Sequence, residues 1–143
     1  LREYNPDIRI TAVQPELKTS IQGLKNLQTQ YVPAIWRKEL VDKIYHVHPR
    51  DAEETARLLM LREGIFAGPS SGAIFNIALK LANENKKEKG VMVVMAPDGG
   101  EKYLSTTLCD PNLCVQCARK YGIRCSYIDG TPIMKAQSVH QEI

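Results

Sequence analysis

Four cysteines near the end of the chain have the residue type and spacing of a metal site. They follow the pattern Cys-x4-Cys-x2-Cys-x7-Cys and are Cys109, Cys114, Cys117 and Cys125. Four thiolates with a Cys-x2-Cys core suit tetrahedral zinc, or else an iron–sulfur cluster. Because the linkers are short and a second Cys-x2-Cys pair is missing, a disulfide or redox pair and unlinked thiols stay open as alternatives. We expect residues 109–143 to form a Cys-rich extension with its own organisation.

Two short loops are built from glycine and small polar residues, a composition typical of ligand-binding turns. They read Gly68-Pro69-Ser70-Ser71-Gly72 and Pro97-Asp98-Gly99-Gly100. Glycine allows a ligand to approach the backbone closely, and the free N–H groups at the start of a helix favour anions. Ligands of open α/β sheets bind at the carboxyl ends of the parallel strands, where we expect both loops to lie. Taken singly, either loop also has the composition of a plain turn with a helix cap.

Two histidines and the single tryptophan are further candidates for chemistry. His46 and His48 would point to the same side of a strand, where they could bind a metal, but no third ligand is near in sequence. We therefore interpret them as surface histidines or as histidines with hydrogen-bond partners inside the protein. Trp36, which follows Pro33, is interpreted as a packing anchor rather than a stacking platform.

The strands that must position these residues are predicted from hydrophobic patterning. Period-two alternation and β-branched residues predict strands over 8–13 and 41–47, separated by a loop over 19–33. A short buried strand is expected at 65–67. The continuous apolar run 91–96 is typical of a strand that is covered on both faces of a parallel sheet.

Two helices are predicted between these strands. The first is expected to open at Asp51, because acidic residues favour the first turn of a helix, and to stop at Gly64. The second is expected over about 71–84, with a serine as its cap and an apolar surface that is largely buried. Strands that alternate with helices at short spacing predict an α/β fold with a mostly parallel sheet.

Composition limits the class of protein. With 143 residues, 43% of them hydrophobic and 24% charged, the chain has the content of one compact domain, which excludes a disordered tail or a fibrous protein. The net charge of +3 is spread along the chain, and the basic run 86–89 contains an acid, so we interpret it as a solvated helix end rather than a nucleic-acid surface.

No apolar stretch approaches the ~20 residues that cross a bilayer, and no secretory signal is present, so we expect a cytoplasmic protein.

Four motifs occur in the order in which one enzyme family carries them. They are Asn5-Pro6-Asp7-Ile8, Ile21-Gln22-Gly23-Leu24, Glu63-Gly64-Ile65-Phe66-Ala67-Gly68-Pro69-Ser70-Ser71-Gly72-Ala73 and Ala96-Pro97-Asp98-Gly99-Gly100-Glu101-Lys102-Tyr103-Leu104-Ser105-Thr106. Together they resemble the family of cysteine synthase (O-acetylserine sulfhydrylase) and cystathionine β-synthase. The resemblance covers roughly residues 1–108, and the last two motifs are its most specific part.

The resemblance implies an enzyme of fold type II that depends on pyridoxal phosphate (PLP). Residues 1–108 would be the C-terminal part of its doubly wound, mostly parallel large domain. Such enzymes use PLP as an electron sink while sulfide or a thiol replaces the leaving group on the β-carbon of a serine derivative. Here the substrate would be O-acetylserine or O-phosphoserine and the product cysteine. The family also suggests a homodimer and, by analogy, serine acetyltransferase as a partner.

The resemblance also implies that part of the active site is missing from this sequence. The lysine that binds PLP, the loop that holds the substrate carboxylate and the glycine-rich phosphate loop all lie upstream of the point matching Leu1. In addition, Leu1 is not an initiator, and residues 1–6 read as the last turn of a helix broken by Pro6. We expect the sequence to be a processed product or a fragment, a C-terminal half that is inactive alone.

Three residues are assigned to the site by the resemblance. Gly23 would lie beside the cofactor, and Asp98 would face its pyridine nitrogen, a position where relatives commonly have serine. Because an ionised aspartate favours a protonated ring nitrogen more than a hydroxyl does, either the match slips by one residue or the electronics differ. Lys25 follows Gly23 in a loop similar to the branch that uses O-phosphoserine and could hold the phosphate, with a solvated lysine as the alternative. The segment 68–72 would pack the helix under the site.

Two other functions stay open beside the enzyme. The chain could be a non-catalytic, partner-binding module with the PLP-enzyme fold, whose cysteines hold a structural zinc. It could also be an iron–sulfur or redox sensor domain attached to cysteine biosynthesis. A lysine- and glycine-rich upstream half in the natural gene would favour the enzyme, and its absence would favour the module.

Overall fold

The computed structural model describes residues 1–85 and 90–123, together with the backbone of two short strands at 127–128 and 131–132. In this part of the chain, two strands pair in parallel, β1 (Thr11–Pro15) and β2 (Lys43–Val47). The α-helices are α1 (Pro49–Glu63), α2 (Pro69–Glu84) and α3 (Pro111–Lys120). Short 3-10 helices occupy Lys38–Leu40, Gly100–Tyr103 and Thr107–Cys109. Strands β3 (Tyr127–Ile128) and β4 (Thr131–Pro132) pair antiparallel. The predicted α/β class with a parallel sheet is confirmed.

The strand predicted over 8–13 begins three residues later than expected, at Thr11. The carboxylate of Asp42 accounts for this difference, because its Oδ2 accepts a hydrogen bond of 2.6 Å from the backbone N–H of Ile10. The same oxygen accepts a 2.6 Å hydrogen bond from Arg2. The Asp42 side chain therefore accepts the Ile10 N–H, which in a longer strand would donate to the neighbouring strand. The parallel ladder starts one residue further on, at Thr11.

Helix α1 begins two residues before the predicted Asp51, because a histidine caps it. The Nδ1 atom of His48 accepts a hydrogen bond of 3.2 Å from the backbone N–H of Arg50, and Pro49 takes the first helical position, where a missing N–H costs nothing. The predicted end is confirmed, since Gly64 closes the helix with a left-handed φ of 69°. His46 is exposed, and its Nε2 lies 2.7 Å from the Gln14 amide nitrogen, so both histidines have a hydrogen-bond partner within the chain, in agreement with their interpretation.

Helix α2 packs closely on α1 through small residues. Ala52 and Ala73 are fully buried and Ala56 is nearly so, and Gly72 lies where the two helices approach each other. The predicted serine cap is wrong: Gly68 occupies the cap position without a side-chain hydrogen bond, and the two serines lie inside the first turn. The helix crossing, with the apolar side chains packed beside it, forms the core beneath the β1–β2 pair.

The strands predicted at 65–67 and 91–96 do not form in the described structure. Val91 and Val93 are 93% and 91% exposed, whereas a strand covered on both faces would bury them. A strand requires neighbours for its backbone N–H and C=O groups, and β1 and β2 pair with each other. Apolar composition therefore identified a segment suited to burial, but no described strand lies beside it.

Helix α3 and the 3-10 helix Thr107–Cys109 pack on α1. Lys120 Nζ and the Tyr121 hydroxyl each donate a 2.6 Å hydrogen bond to Glu54 Oε1. The Lys120 ammonium and then the Tyr121 hydroxyl hold the pKa of Glu54 below its usual value. The buried Arg57 donates a 2.9 Å hydrogen bond to the carbonyl of Thr107. The division of the chain at residue 108 stays a prediction.

Among the described residues, the helices fall short of the length and apolar content that crossing a bilayer would require.

Candidate active site

Three segments that the sequence singles out meet around the ring of Tyr103. A Cβ atom added to Gly23 would lie 3.1 Å from Ser70 Oγ and 3.8 Å from the Tyr103 hydroxyl. A Cβ atom added to Gly68 would overlap Asp98 Oδ1 and lie 2.6 Å from Tyr103 Cε2. The start of α2 therefore lies against both the loop after β1 and the turn at 97–100.

The backbone of the 97–100 turn is fixed to the segment before α2. The N–H of Gly68 donates to the carbonyl of Asp98 at 3.1 Å, and the N–H of Gly100 donates to the carbonyl of Phe66 at 3.1 Å. These two hydrogen bonds form an isolated bridge between Ala67 and Gly99. Although neither predicted strand forms, this bridge sets the position of Asp98 relative to the start of α2.

Asp98 and Tyr103 form a short hydrogen-bonded pair. The Tyr103 hydroxyl donates to Asp98 Oδ2 at 2.6 Å, and only 8% of Tyr103 is exposed. The hydrogen bond to the Asp98 carboxylate and then burial raise the pKa of Tyr103 to about 12. The phenol therefore remains a protonated donor near neutral pH. Tyr103 belongs to the last sequence motif, but an aromatic residue in a polar turn has no periodic signal that would assign it to the site.

Two buried polar atoms beside this pair have no hydrogen-bond partner among the described residues. They are Asp98 Oδ1 and Ser70 Oγ. Leaving a buried acceptor unpaired costs about 1–3 kcal/mol, so such atoms in a native structure call for an explanation. A carboxylate oxygen can only accept, whereas a hydroxyl can accept or donate. Because Asp98 Oδ1 packs against Gly68, a ligand that brings an N–H or O–H group could reach it only if the Asp98 side chain turned.

Lys25 lies on a different cavity. Its ammonium group is 5.8 Å from the centre of the Tyr31 ring. Lys25 is also one of the residues that line a cavity of about 270 Å³. The other residues that line this cavity are Ala12, Val13, Gln14, Leu27, Pro33, Ile35, Trp36 and Ile44. The structure therefore brings Gly23 and Asp98 to the same place, while the phosphate-binding role of Lys25 stays a prediction.

Cys109 and Cys117 are at least partly buried. Cys117 is buried, with Sγ 3.9 Å from the carbonyl oxygen of Glu54, and Cys109 packs against the cluster of Ala56 and Leu108. Burial raises the pKa of both thiols, which disfavours the thiolate that a metal requires. Among residues 1–85 and 90–123, no group of three or more His, Cys, Asp or Glu side chains is placed to hold a metal ion. Cys125 lies outside the described residues, so the four-cysteine site stays a prediction.

Comparison with curated proteins shows cysteine synthases among the relatives. Cysteine synthase B of Escherichia coli is 42% identical over 106 residues, which cover 74% of this chain and 34% of the relative. Cysteine synthase of Aquifex aeolicus is 42% identical over 111 residues, covering 76% and 34%. The chain thus spans about a third of the length of the curated relatives it matches.

Solved structures of such enzymes have a similar fold. Cysteine synthase of Entamoeba histolytica matches with a TM-score of 0.68 and 31% identity over 87% of this chain and 40% of the solved chain. O-ureido-L-serine synthase matches with a TM-score of 0.68 and 36% identity, covering 76% and 36%. Residues 1–98 also match the family model described as pyridoxal-phosphate dependent enzyme. On this evidence, the chain belongs to the family of pyridoxal-phosphate-dependent enzymes.

Proposed function

We propose that this chain supplies the ring-nitrogen side of the cofactor site in an enzyme that forms cysteine from an activated serine and sulfide. The observation that carries the proposal is the state of Asp98, a half-buried residue with one carboxylate oxygen hydrogen-bonded to Tyr103 and the other without a described partner. The cysteine synthases among the relatives support the choice of reaction.

The residues present fit one end of PLP. A protonated pyridine nitrogen is an N–H donor, and Asp98 Oδ1 would accept from it once the side chain turned away from Gly68. An ionised carboxylate at this position favours the protonated ring, and when bound the cofactor supplies an electron sink. This chain would therefore contribute one acceptor, the Asp98 carboxylate, at the ring nitrogen.

The remainder of the site is proposed to come from the part of the protein that matches the other two thirds of the relatives. That part would contribute the lysine that binds PLP and would also pair with the apolar segment 91–95, in which Val91, Val93 and Met95 are each at least 70% exposed. The chain by itself is then expected to be inactive. The homodimer and the contact with serine acetyltransferase, which concern the longer protein, stay predictions.

The proposal is tested by PLP binding and turnover. The full-length protein that contains this chain, reconstituted with PLP, is expected to show the visible absorption of bound cofactor and to form cysteine from sulfide and O-acetylserine or O-phosphoserine. The present chain, purified and treated identically, is the matched control and is expected to do neither. Failure of the full-length protein to bind PLP would refute the proposed function.

We further propose that Lys25 holds the phosphate of O-phosphoserine, since it carries an exposed ammonium group two residues after Gly23. Lys25→Met is expected to lower kcat/KM for O-phosphoserine by about 10- to 100-fold, because a charge-assisted hydrogen bond contributes about 1.5–3 kcal/mol. The value for O-acetylserine should barely change. Lys80→Met, which removes an exposed lysine from α2, is the control. An equal loss with both substrates would show that Lys25 has another role.

A further inference from the structure

A buried glutamine attaches the loop at residues 23–28, which carries the glycine and the lysine of the proposed site, to β1. Gln14 is 3% exposed, and its side-chain Oε1 accepts a 3.1 Å hydrogen bond from the backbone N–H of Leu27. Its side-chain nitrogen lies 2.7 Å from Nε2 of His46. We propose that Gln14 is a positioning residue that holds this loop in place, fully only while His46 gives its amide nitrogen an acceptor. The inference rests on the proposed function and deepens it.

The two hydrogen bonds of Gln14 determine which way its amide points. A backbone N–H can only donate, so the atom that faces Leu27 is the amide oxygen, and the amide nitrogen then faces His46. Gln14 and His46 are also paired in the parallel register of β1 and β2, which keeps the two side chains together. Because an amide nitrogen can only donate, Nε2 of His46 is the acceptor here. A neutral imidazole has one such nitrogen, whereas an imidazolium has none.

A second buried amide shares the attachment of the loop to β1. Asn26 is 2% exposed, donates from Nδ2 to the carbonyl of Pro15 at 2.8 Å, and accepts at Oδ1 from the N–H of Gln28 at 2.9 Å. These bonds involve no titratable group, so acid leaves them in place. Acid therefore weakens only the attachment made by Gln14, and the loop is expected to open more often at Leu27 without unfolding.

Opening of the loop matters because Lys25 directly precedes the two attached residues. Lys25, Gln14 and Leu27 line the same cavity of about 270 Å³. A loop that is already ordered saves a ligand the entropy cost of ordering it. A substrate that is bound by Lys25 should therefore bind less tightly when the Gln14 bond is lost.

Few charged or titratable groups surround His46, which is itself exposed, so solvent has direct access to its ring. They are Glu16 after β1, Lys25 in the loop, and Asp42, Lys43 and His48 on or beside β2. Among the described residues, the hydrogen bond of His46 goes to Gln14 and to none of these groups. Asp42 pairs with Arg2, and His48 caps α1. The direct consequence of a proton on His46 is thus expected at Gln14.

The test measures hydrogen exchange in the loop of the full-length protein at two pH values. Mass spectrometry follows a peptide that contains Leu27 at pH 8 and at pH 5.5, a range across which histidine changes charge. Each rate is compared with that of the unstructured peptide at the same pH, which gives a protection factor. We expect protection about fivefold lower at pH 5.5, the usual effect of one lost hydrogen bond between neutral groups.

Two histidine variants separate this effect from other effects of acid. His46→Gln places an amide oxygen where the ring nitrogen lies and should abolish the pH dependence, because this oxygen accepts at both pH values. His48→Asn keeps a cap on α1 without a titrating group and should leave the fivefold change intact. A pH-independent wild type, or full pH dependence in His46→Gln, would overturn the inference.

Two variants of Gln14 test the direction of the effect. Gln14→Glu still accepts from Leu27 but offers His46 an acceptor in place of a donor, so its protection should rise rather than fall at pH 5.5. Gln14→Leu removes both bonds and should be about fivefold less protected than the wild type at pH 8. If either buried substitution prevents folding, His46→Gln, at an exposed position, still decides the matter.

The consequence for the substrate is measured at pH 8. Gln14→Leu is expected to raise KM for O-phosphoserine about fivefold with little change in kcat, because the loop must first be ordered. An unchanged KM in a variant whose loop has lost its protection would overturn the positioning role. If the loop responds to pH as expected but the full-length protein forms no cysteine, the proposed function fails, while the hold of Gln14 on the loop is supported.

Discussion

Replacing Gly72 by alanine is expected to destabilise the fold by about 3 kcal/mol, the upper end of the usual cost of overpacking. A Cβ atom at this position would overlap the carbonyl oxygen of Ala52 and lie 2.8 Å from the Cβ and 2.9 Å from the backbone N of Ala56. Two of these three neighbours are backbone atoms of α1, which cannot turn aside as a side chain can. The helices would have to separate, and the buried alanines at the crossing would lose their contacts.

Two other glycines provide controls for this effect. Gly90→Ala puts a Cβ atom into open space, so its free energy of unfolding should change by less than about 1 kcal/mol. Gly64→Ala also meets no atom but forces alanine to a φ of 69°, and should cost about 1 kcal/mol. Urea unfolding of the full-length variants would rank them. If Gly72→Ala were no less stable than Gly64→Ala, the close approach of α1 and α2 would be incorrect.

Much of the fold could be predicted from the sequence where the signal is local. The left-handed end of α1 at Gly64 follows from the conformational freedom of glycine, and the parallel strand β2 follows from the alternation over 41–47. The start of α1 was missed by two residues because histidine is not among the usual caps, so His48 gave no signal. The predicted start of α1 was therefore wrong because of the side chain that caps the helix, and not because of its hydrophobic period.

The expectations that failed depend on partners distant in sequence. The run 91–96 has the apolar composition of a buried strand, but composition reports only that burial would be favourable and not which strand would lie beside it. The same limit applies to the site. Asp98 and Gly23 were assigned by resemblance, whereas the role of Tyr103 depends on a folded turn that brings a phenol to a carboxylate five residues away.

Replacing Gly68 by alanine is expected to impair the site while largely preserving the fold, the reverse of Gly72→Ala. Gly68 has extended backbone angles, φ −72° and ψ 171°, which alanine adopts without strain. Its added Cβ atom would overlap Asp98 Oδ1 and lie 2.6 Å from Tyr103 Cε2, both of which belong to side chains that can move. The pair would be displaced from its present geometry. PLP affinity should fall by about tenfold or more, because the acceptor and the hydrogen bond that holds it are disturbed together.

The two substitutions are best measured side by side in the full-length protein, with Gly90→Ala as their common control. For Gly68→Ala the unfolding free energy should drop by about 1 kcal/mol, since alanine is a poorer helix cap than glycine, while the PLP dissociation constant rises. For Gly72→Ala the drop in unfolding free energy should be the main effect, rather than the change in the PLP dissociation constant. The physical difference is the neighbour that each methyl group meets: the side-chain carboxylate of Asp98 next to Gly68, and the backbone of α1 next to Gly72. Normal PLP binding by a stable Gly68→Ala protein would mean that the position of the Asp98 carboxylate does not matter for binding the cofactor.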